Sequence, residues 1–156
     1  MCSIFGIFDI KDNPQALRTK ALELSRLQLH RGPDWEGIYQ GELKEPYNFK
    51  TGSDCEVLLP LYQEFKKTGE IFLDRLVGDF AFTIYDANDD TYFIARDHMG
   101  IVPCYIGSDK EGRFYVASEM KALTPVCDTV KEFPPGHYLY SKQDLEFHPY
   151  YKRDWM

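Results

Sequence analysis

From Phe80 onward the chain reads as a series of hairpins, and no other feature restricts its fold as much. Phe80, Phe82 and Ile84 alternate with Ala81, Thr83 and Tyr85, and Asn88-Asp89-Asp90 then supplies a turn back through Tyr92 to Arg96. A period of two places each set of side chains on its own face of a sheet. Two further hairpins are expected: Tyr105 to Ser118, turning near Gly112, and His137 to Tyr151, turning near Lys142. The first half of the chain is different. Cys2 to Ile10 is an almost continuous apolar run (Ile4, Phe5, Ile7, Phe8, Ile10), which suits a strand buried on both faces. Asn13-Pro14 has the form of a helix start, a capping side chain followed by proline in the first turn. Leu17, Ala21, Leu24 and Leu27 then mark one helical face, predicted to end near Leu29. His30-Arg31-Gly32-Pro33-Asp34 cannot continue that helix and must be a loop. Ser53 to Glu56 has the form of a capping box opening a second helix, with Val57, Leu58, Leu61, Tyr62 and Phe65 on its apolar face. Pro60 falls inside that helix and is expected to bend it. Helices early and antiparallel strands late indicate an α+β layered fold.

With 156 residues, 44% of them hydrophobic, the chain is long enough for one domain with a substantial core. Its net charge of −7 comes without any basic cluster, which argues against a nucleic-acid or membrane-surface role. No apolar run approaches the ~20 residues needed to span a bilayer. The start, Met-Cys-Ser-Ile-Phe-Gly, lacks the basic segment and long apolar core of a signal peptide. A cytoplasmic location is therefore expected, where the four cysteines stay free rather than paired.

Most site types are excluded by spacing. The sequence contains no Cys-x-x-Cys, His-Glu-x-x-His, Gly-x-Gly-x-x-Gly or Walker-type glycine loop. Cys55, Cys104, Cys127 and the four histidines are scattered without ligand spacing, so no metal site is expected. Aromatic residues sit at strand spacing without interleaved Lys and Arg, as core residues do. Cys2 is the exception. Once Met1 is removed, which a small following side chain favours, the thiol and a free α-amine lie on one residue. An α-amine titrates near ~7.7–8.0 and a thiol near ~8.5, so the amine can take the thiol proton near neutrality. One residue would then supply both nucleophile and base. Many chains begin Met-Cys by chance, but a place at the start of a buried strand would hold this nucleophile rigidly.

At this point the segments are similar to a known family. Met1 to Gly6, His30 to Asp34 and Thr51-Gly52-Ser53-Asp54 resemble the glutaminase domain of class II glutamine amidotransferases. Arg96 to Pro103, Ala117-Ser118-Glu119-Met120-Lys121-Ala122-Leu123, Glu132 to Gly136, Tyr150-Tyr151 and Asp154-Trp155 narrow the resemblance to glutamine-hydrolysing asparagine synthetases. The resemblance implies an N-terminal-nucleophile hydrolase fold, two antiparallel sheets sandwiched between helices, in a single glutaminase-type domain over residues 1–156. It implies acyl transfer, with Cys2 attacking the side-chain amide of glutamine, ammonia leaving, and water cleaving a γ-glutamyl thioester. Asp54 matches the aspartate that holds the substrate α-amino group, which as a helix-start carboxylate is also favoured by the helix dipole. Arg31 matches an arginine in the loop beside the nucleophile, where it either favours thiolate or braces the loop. Gly52, like Gly6, allows close backbone approach near the site. Arg96 to Pro103 resembles a structural turn. No cofactor is implied for the glutaminase step; ATP and magnesium would belong to a synthetase domain, present in such enzymes after this point and absent here.

One departure from the family concerns the interior. Only the 16 residues Trp35 to Lys50 join the His-Arg-Gly-Pro-Asp loop to the second helix. In the family this interval is much longer and carries further strands, an arginine that grips the glutamine carboxylate and an Asn-Gly pair that forms the oxyanion hole. Arg75 lies beyond the second helix and no Asn-Gly dipeptide occurs in the chain; the closure falls near Gln40-Gly41. Some strands of the fold are accordingly expected to be missing. The expected function is ammonia supply from glutamine to a synthetase domain or subunit for asparagine biosynthesis. The alternative is a catalytically impaired remnant or docking module lacking the oxyanion hole.

Overall fold

The computed structural model describes residues 4–11, 14–28 and 54–152. In chain order the elements are β1 (Phe5–Phe8), α1 (Pro14–Arg26), α2 (Leu58–Thr68), β2 (Ala81–Asp86), β3 (Thr91–Arg96), β4 (Tyr105–Ser108), β5 (Phe114–Ala117), β6 (Thr129–Glu132), β7 (His137–Tyr140) and β8 (His148–Pro149). Among the described residues these form two four-stranded antiparallel sheets, ordered β1-β5-β4-β6 and β2-β3-β7-β8.

The period-two alternation has the predicted consequence. Phe82 and Ile84 of β2 face outward with Phe93 and Ala95 of β3 and with Tyr138 and Tyr140 of β7. There they meet Tyr62 and Phe65 of α2 and Phe72 and Leu73 from the segment that follows it. The opposite side chains, Tyr92, Ile94 and Leu139, face the first sheet and pack on its Phe8, Ile106 and Val116. On the far side of the first sheet, Tyr115 and Ala117 meet Ala122 and Leu123, with Phe5 and Ile7 partly buried against them. Helix α1 packs against β1 and buries Leu24. The result is two antiparallel sheets between helical layers, as expected.

Several boundaries differ from the sequence reading, each for an identifiable reason. Strand β1 is shorter than the apolar run that predicts it, starting at Phe5. Helix α1 ends at Arg26 rather than Leu29, and Leu27 is exposed. The segment predicted to open the second helix is a 3₁₀ turn over Asp54–Val57, and α2 begins only at Leu58. Proline decides this: Pro60 is the third residue of α2, where its missing N–H is one that a helix start leaves unpaired. It therefore marks the start of the helix instead of bending its middle. Strand β6 goes unpredicted because Thr129-Val130-Lys131-Glu132 is a polar edge strand carrying one aliphatic residue.

The turn between β3 and β4 is fixed by a buried guanidinium. Arg96, 3% exposed, donates from Nε to the Val102 carbonyl at 2.8 Å and from Nη2 to the Gly100 carbonyl at 2.8 Å. Its Nη1 donates to the Phe133 carbonyl at 2.6 Å and to Glu132 Oε1 at 2.8 Å. Asp97 accepts the backbone N–H groups of Ile101 and Val102, and the Tyr150 hydroxyl donates to the Arg96 carbonyl. One arginine thus joins the ends of β3 and β6, which belong to different sheets. Gly100 is required here: its φ is +68°, and a Cβ would stand 2.7 Å from Pro135 Cγ. Gly100→Ala is expected to destabilise the chain by about 2–4 kcal/mol, summing left-handed backbone strain and overpacking. A lowered urea midpoint with an unchanged slope would show it.

Candidate active site

Of the four predicted site residues, Cys2, Arg31 and Gly52 lie outside the described residues, and Asp54 opens the 3₁₀ turn that leads into α2. What the structure describes is the frame that carries them. Cys2 precedes β1 by three positions, and Arg31 follows the Leu27–Gln28 turn that ends α1. Those two elements are packed together, whereas α2 lies on the other sheet.

The frame at β1 is held from several directions. Phe5, Gly6, Ile7 and Phe8 pair in register with Ala117, Val116, Tyr115 and Phe114 of β5. At the C-terminal end, the Phe8 ring stacks on Tyr92 at 4.3 Å, and the Tyr92 hydroxyl donates to Asp9 Oδ2 at 3.0 Å. Gly6 faces the inter-sheet core so closely that a Cβ would stand 3.0 Å from Val116 Cγ1. At the N-terminal end, Ser118 holds both backbone groups of Ile4. Its N–H donates to the Ile4 carbonyl at 2.9 Å, and its Oγ accepts the Ile4 N–H at 2.8 Å. Ser118 stands in the Ala-Ser-Glu-Met segment that contributes to the family resemblance, and from sequence alone it carries no role.

The thiols of the described residues show what Cys2 is being distinguished from. Cys104 is fully buried, and burial pushes its thiol up to about 12. Burial, aided by the Asp109 and Asp128 carboxylates, pushes Cys127 up to about 11. Neither supplies thiolate near neutrality. Cys55 is exposed on the 3₁₀ turn beside Asp54. Among the described residues no group of three or more His, Cys, Asp and Glu could hold a metal ion, and no helix is long and apolar enough to cross a membrane.

Comparison with known proteins decides the family. Residues 40–134 match the family described as "Glutamine amidotransferase domain". The chain belongs to this family. Among curated relatives, the chain is 48% identical to the glutamine-hydrolyzing asparagine synthetase B of Escherichia coli (strain K12), over 99% of its own length and 35% of that protein. It is 36% identical to a probable glutamine-hydrolyzing asparagine synthetase of Dictyostelium discoideum, over 100% of this chain and 36% of that protein. The chain thus spans about a third of the length of these relatives. Among solved structures, the glutamine phosphoribosylpyrophosphate amidotransferase from B. subtilis superposes with a TM-score of 0.56 at 21% identity, covering 97% of this chain and 29% of that one. At that identity the likeness concerns the fold, which is of the N-terminal-nucleophile type.

The chain is also internally shorter than these curated relatives. Its match to the Escherichia coli protein runs over 200 aligned positions although the chain has 156 residues, so at least 44 of those positions have no residue here. Thiol labelling follows directly from the site's surroundings. Among Cys55, Cys104 and Cys127, iodoacetamide at pH 7.5 is expected to modify Cys55 first, leaving the other two unmodified unless the chain is denatured. Peptide mass mapping after timed quenching checks the order.

Proposed function

We propose that this domain hydrolyses glutamine to glutamate and ammonia with Cys2 as nucleophile, supplying the ammonia to an asparagine synthetase. The observation that carries the reading is the 48% identity to a glutamine-hydrolyzing asparagine synthetase along 99% of this chain. The match to the amidotransferase family over residues 40–134 supports it independently.

The chemistry runs on this chain's own groups and water. After Met1 is removed, the Cys2 α-amine takes the thiol proton and the thiolate attacks the glutamine carboxamide carbon. The protonated amine returns its proton to the departing nitrogen, which leaves as ammonia, and a γ-glutamyl thioester forms. Water, giving a proton to the same amine, then attacks the thioester; glutamate departs and the thiol is restored. Asp54 holds the substrate α-ammonium, Arg31 favours the thiolate or braces its loop, and Gly52 lets the backbone come close to the substrate. The domain is the glutaminase unit, over residues 1–156, of a two-step synthetase whose ATP-using half is a further domain or a partner subunit.

Intact mass before and after a glutamine-mimicking electrophile tests the nucleophile. We expect loss of Met1 and one adduct, absent in Cys2→Ala together with ammonia release; an unmodified Cys2 would sink the reading. Asp54→Asn is expected to raise KM for glutamine about 10–100-fold with a smaller change in kcat, the consequence of losing a charge-assisted contact.

The shorter interior sets the expected rate. We place the gap between Trp35 and Lys50, closing near Gln40-Gly41, and with it the loss of the family's oxyanion and carboxylate-binding groups. Each missing oxyanion donor typically lowers kcat by ~10²–10³. Inserting the Escherichia coli relative's unmatched interval at Gln40-Gly41 should therefore raise kcat by about that factor. Ammonia release measured on both chains decides it, and equal rates would mean that this chain already supplies its own donors.

A further inference from the structure

We propose that Ser118 is a positioning residue for Cys2: its side-chain hydroxyl ends the β1–β5 ladder at Ile4 and so fixes the backbone from which the nucleophile projects. The inference rests on the reading of Cys2 as the nucleophile.

The geometry at Ile4 departs from an ordinary ladder. Phe5 stands opposite Ala117, so the next antiparallel pair is Ile4 with Ser118. In a continuing ladder such a pair exchanges two backbone bonds, each N–H donating to the other residue's carbonyl. Here one is made, from the Ser118 N–H to the Ile4 carbonyl at 2.9 Å. The other is replaced: the Ile4 N–H donates to Ser118 Oγ at 2.8 Å. Strand β5 ends at Ala117, and the chain then bends into the 3₁₀ turn Met120–Ala122. A hydroxyl thus stands in for a carbonyl at the last rung, and β1 begins at Phe5.

Strand pairing alone does not require this residue. Any residue could contribute its backbone to the rung, and Tyr115, Val116 and Ala117 before it are buried without a side-chain role in the ladder. Ser118 is 0% exposed, so water does not readily take over its bond to Ile4. A strand end is where pairing normally frays, and here one residue grips the N–H and the carbonyl of the same neighbour. The position matters because of covalent reach. Cys2 is two residues upstream of Ile4, so their Cα atoms are at most about 7 Å apart. A nucleophile must come within about 3–3.5 Å of the carbon it attacks, and a displacement of about 1 Å is enough to cost 10²-fold in rate. Fixing Ile4 narrows the positions open to Cys2, while glutamine binding by Asp54 on another element is left alone.

The test compares the full chain with Ser118→Ala and Ser118→Thr. Ser118→Ala removes the hydroxyl acceptor but keeps the backbone rung; Ser118→Thr keeps the acceptor. We expect Ser118→Ala to lower kcat for glutamine hydrolysis about 10–100-fold with KM within twofold. The reaction of Cys2 with iodoacetamide, which needs no substrate alignment, should stay within twofold. Exchange of the Ile4 amide should rise at least tenfold while the amides of Phe5 to Phe8 keep their protection. Ser118→Thr should recover kcat to within about threefold. Unchanged kcat in Ser118→Ala overturns the proposal alone, provided wild-type Cys2 still reacts with the glutamine-mimicking electrophile. Loss of protection throughout β1, or a folded Ser118→Thr as slow as Ser118→Ala, also overturns it by making the role structural. A wild-type chain that forms no Cys2 adduct removes the nucleophile reading and the proposal with it.

Discussion

All six residues of β3 are buried, and the two faces of that one strand hold the two cores together. Phe93, 0% exposed, turns toward α2, where its ring stacks on Tyr138 at 5.4 Å and meets Phe65 edge-on at 5.4 Å and Phe72 at 5.7 Å. Such ring pairs contribute about 0.5–1.5 kcal/mol each beyond the area they bury. Ile94, next in the chain and equally buried, faces the first sheet with Val116 and Phe133. Arg96 then carries the same strand into the Val102, Gly100 and Phe133 carbonyls. Without β3 the second sheet would have no centre, and the first would lose much of the surface on which it packs. The position of β1 is set through that packing.

The parts of the fold legible in the sequence are those where one physical rule acts alone. Alternation from Phe80 to Tyr85 gives β2 and β3 with the turn at residues 87–90 where Asn88-Asp89-Asp90 places it. The hairpin of β4 and β5 turns at Gly112, whose φ of +76° needs a residue without a Cβ. Illegibility begins where two rules compete. The Ser53 to Glu56 pattern favours a helix start and Pro60 resists one earlier than Leu58, and only packing of Tyr62 and Phe65 on the second sheet shows which prevails. Strand β6 is invisible because its pairing with β4 depends on backbone groups, which composition does not report. The candidate site divides in the same way. Cys2 stands out as a candidate in the sequence because nucleophile and base would share one residue, and it lies outside the described residues. Ser118 does not stand out, because its contribution is one hydrogen bond to a residue 114 positions away.

The shorter interior leaves the described cores in place. The match to the Escherichia coli relative includes at least 44 positions that this chain lacks, yet the three buried clusters draw on β1, α2 and strands β2 to β7. Closing a shorter connection changes loop entropy only by fractions of a kcal/mol per doubling of length. Among the described residues β1 and β2 each pair on one side only, with β5 and β3. Edges of that kind invite further pairing unless they are covered. Strand β1 is the shorter of the two, with four residues against six.

A nucleophile at a chain terminus, as proposed for Cys2, has an inherent difficulty. On the proposed reading, removal of Met1 frees the α-amine that serves as base, and Cys2 is then tethered by the chain on one side only. The other thiols mark the opposite limit: Cys104 is held rigidly within the core, and the same burial keeps it protonated up to about 12. Reactivity and rigidity therefore cannot come from one source. On the proposed reading they are separated along the chain, with Cys2 kept reactive by its own amine and rigidity introduced two residues later at Ile4. The one backbone bond made here holds Ile4 from its carbonyl side. The Ser118 hydroxyl adds the N–H side, the one that faces back toward Cys2 along the chain.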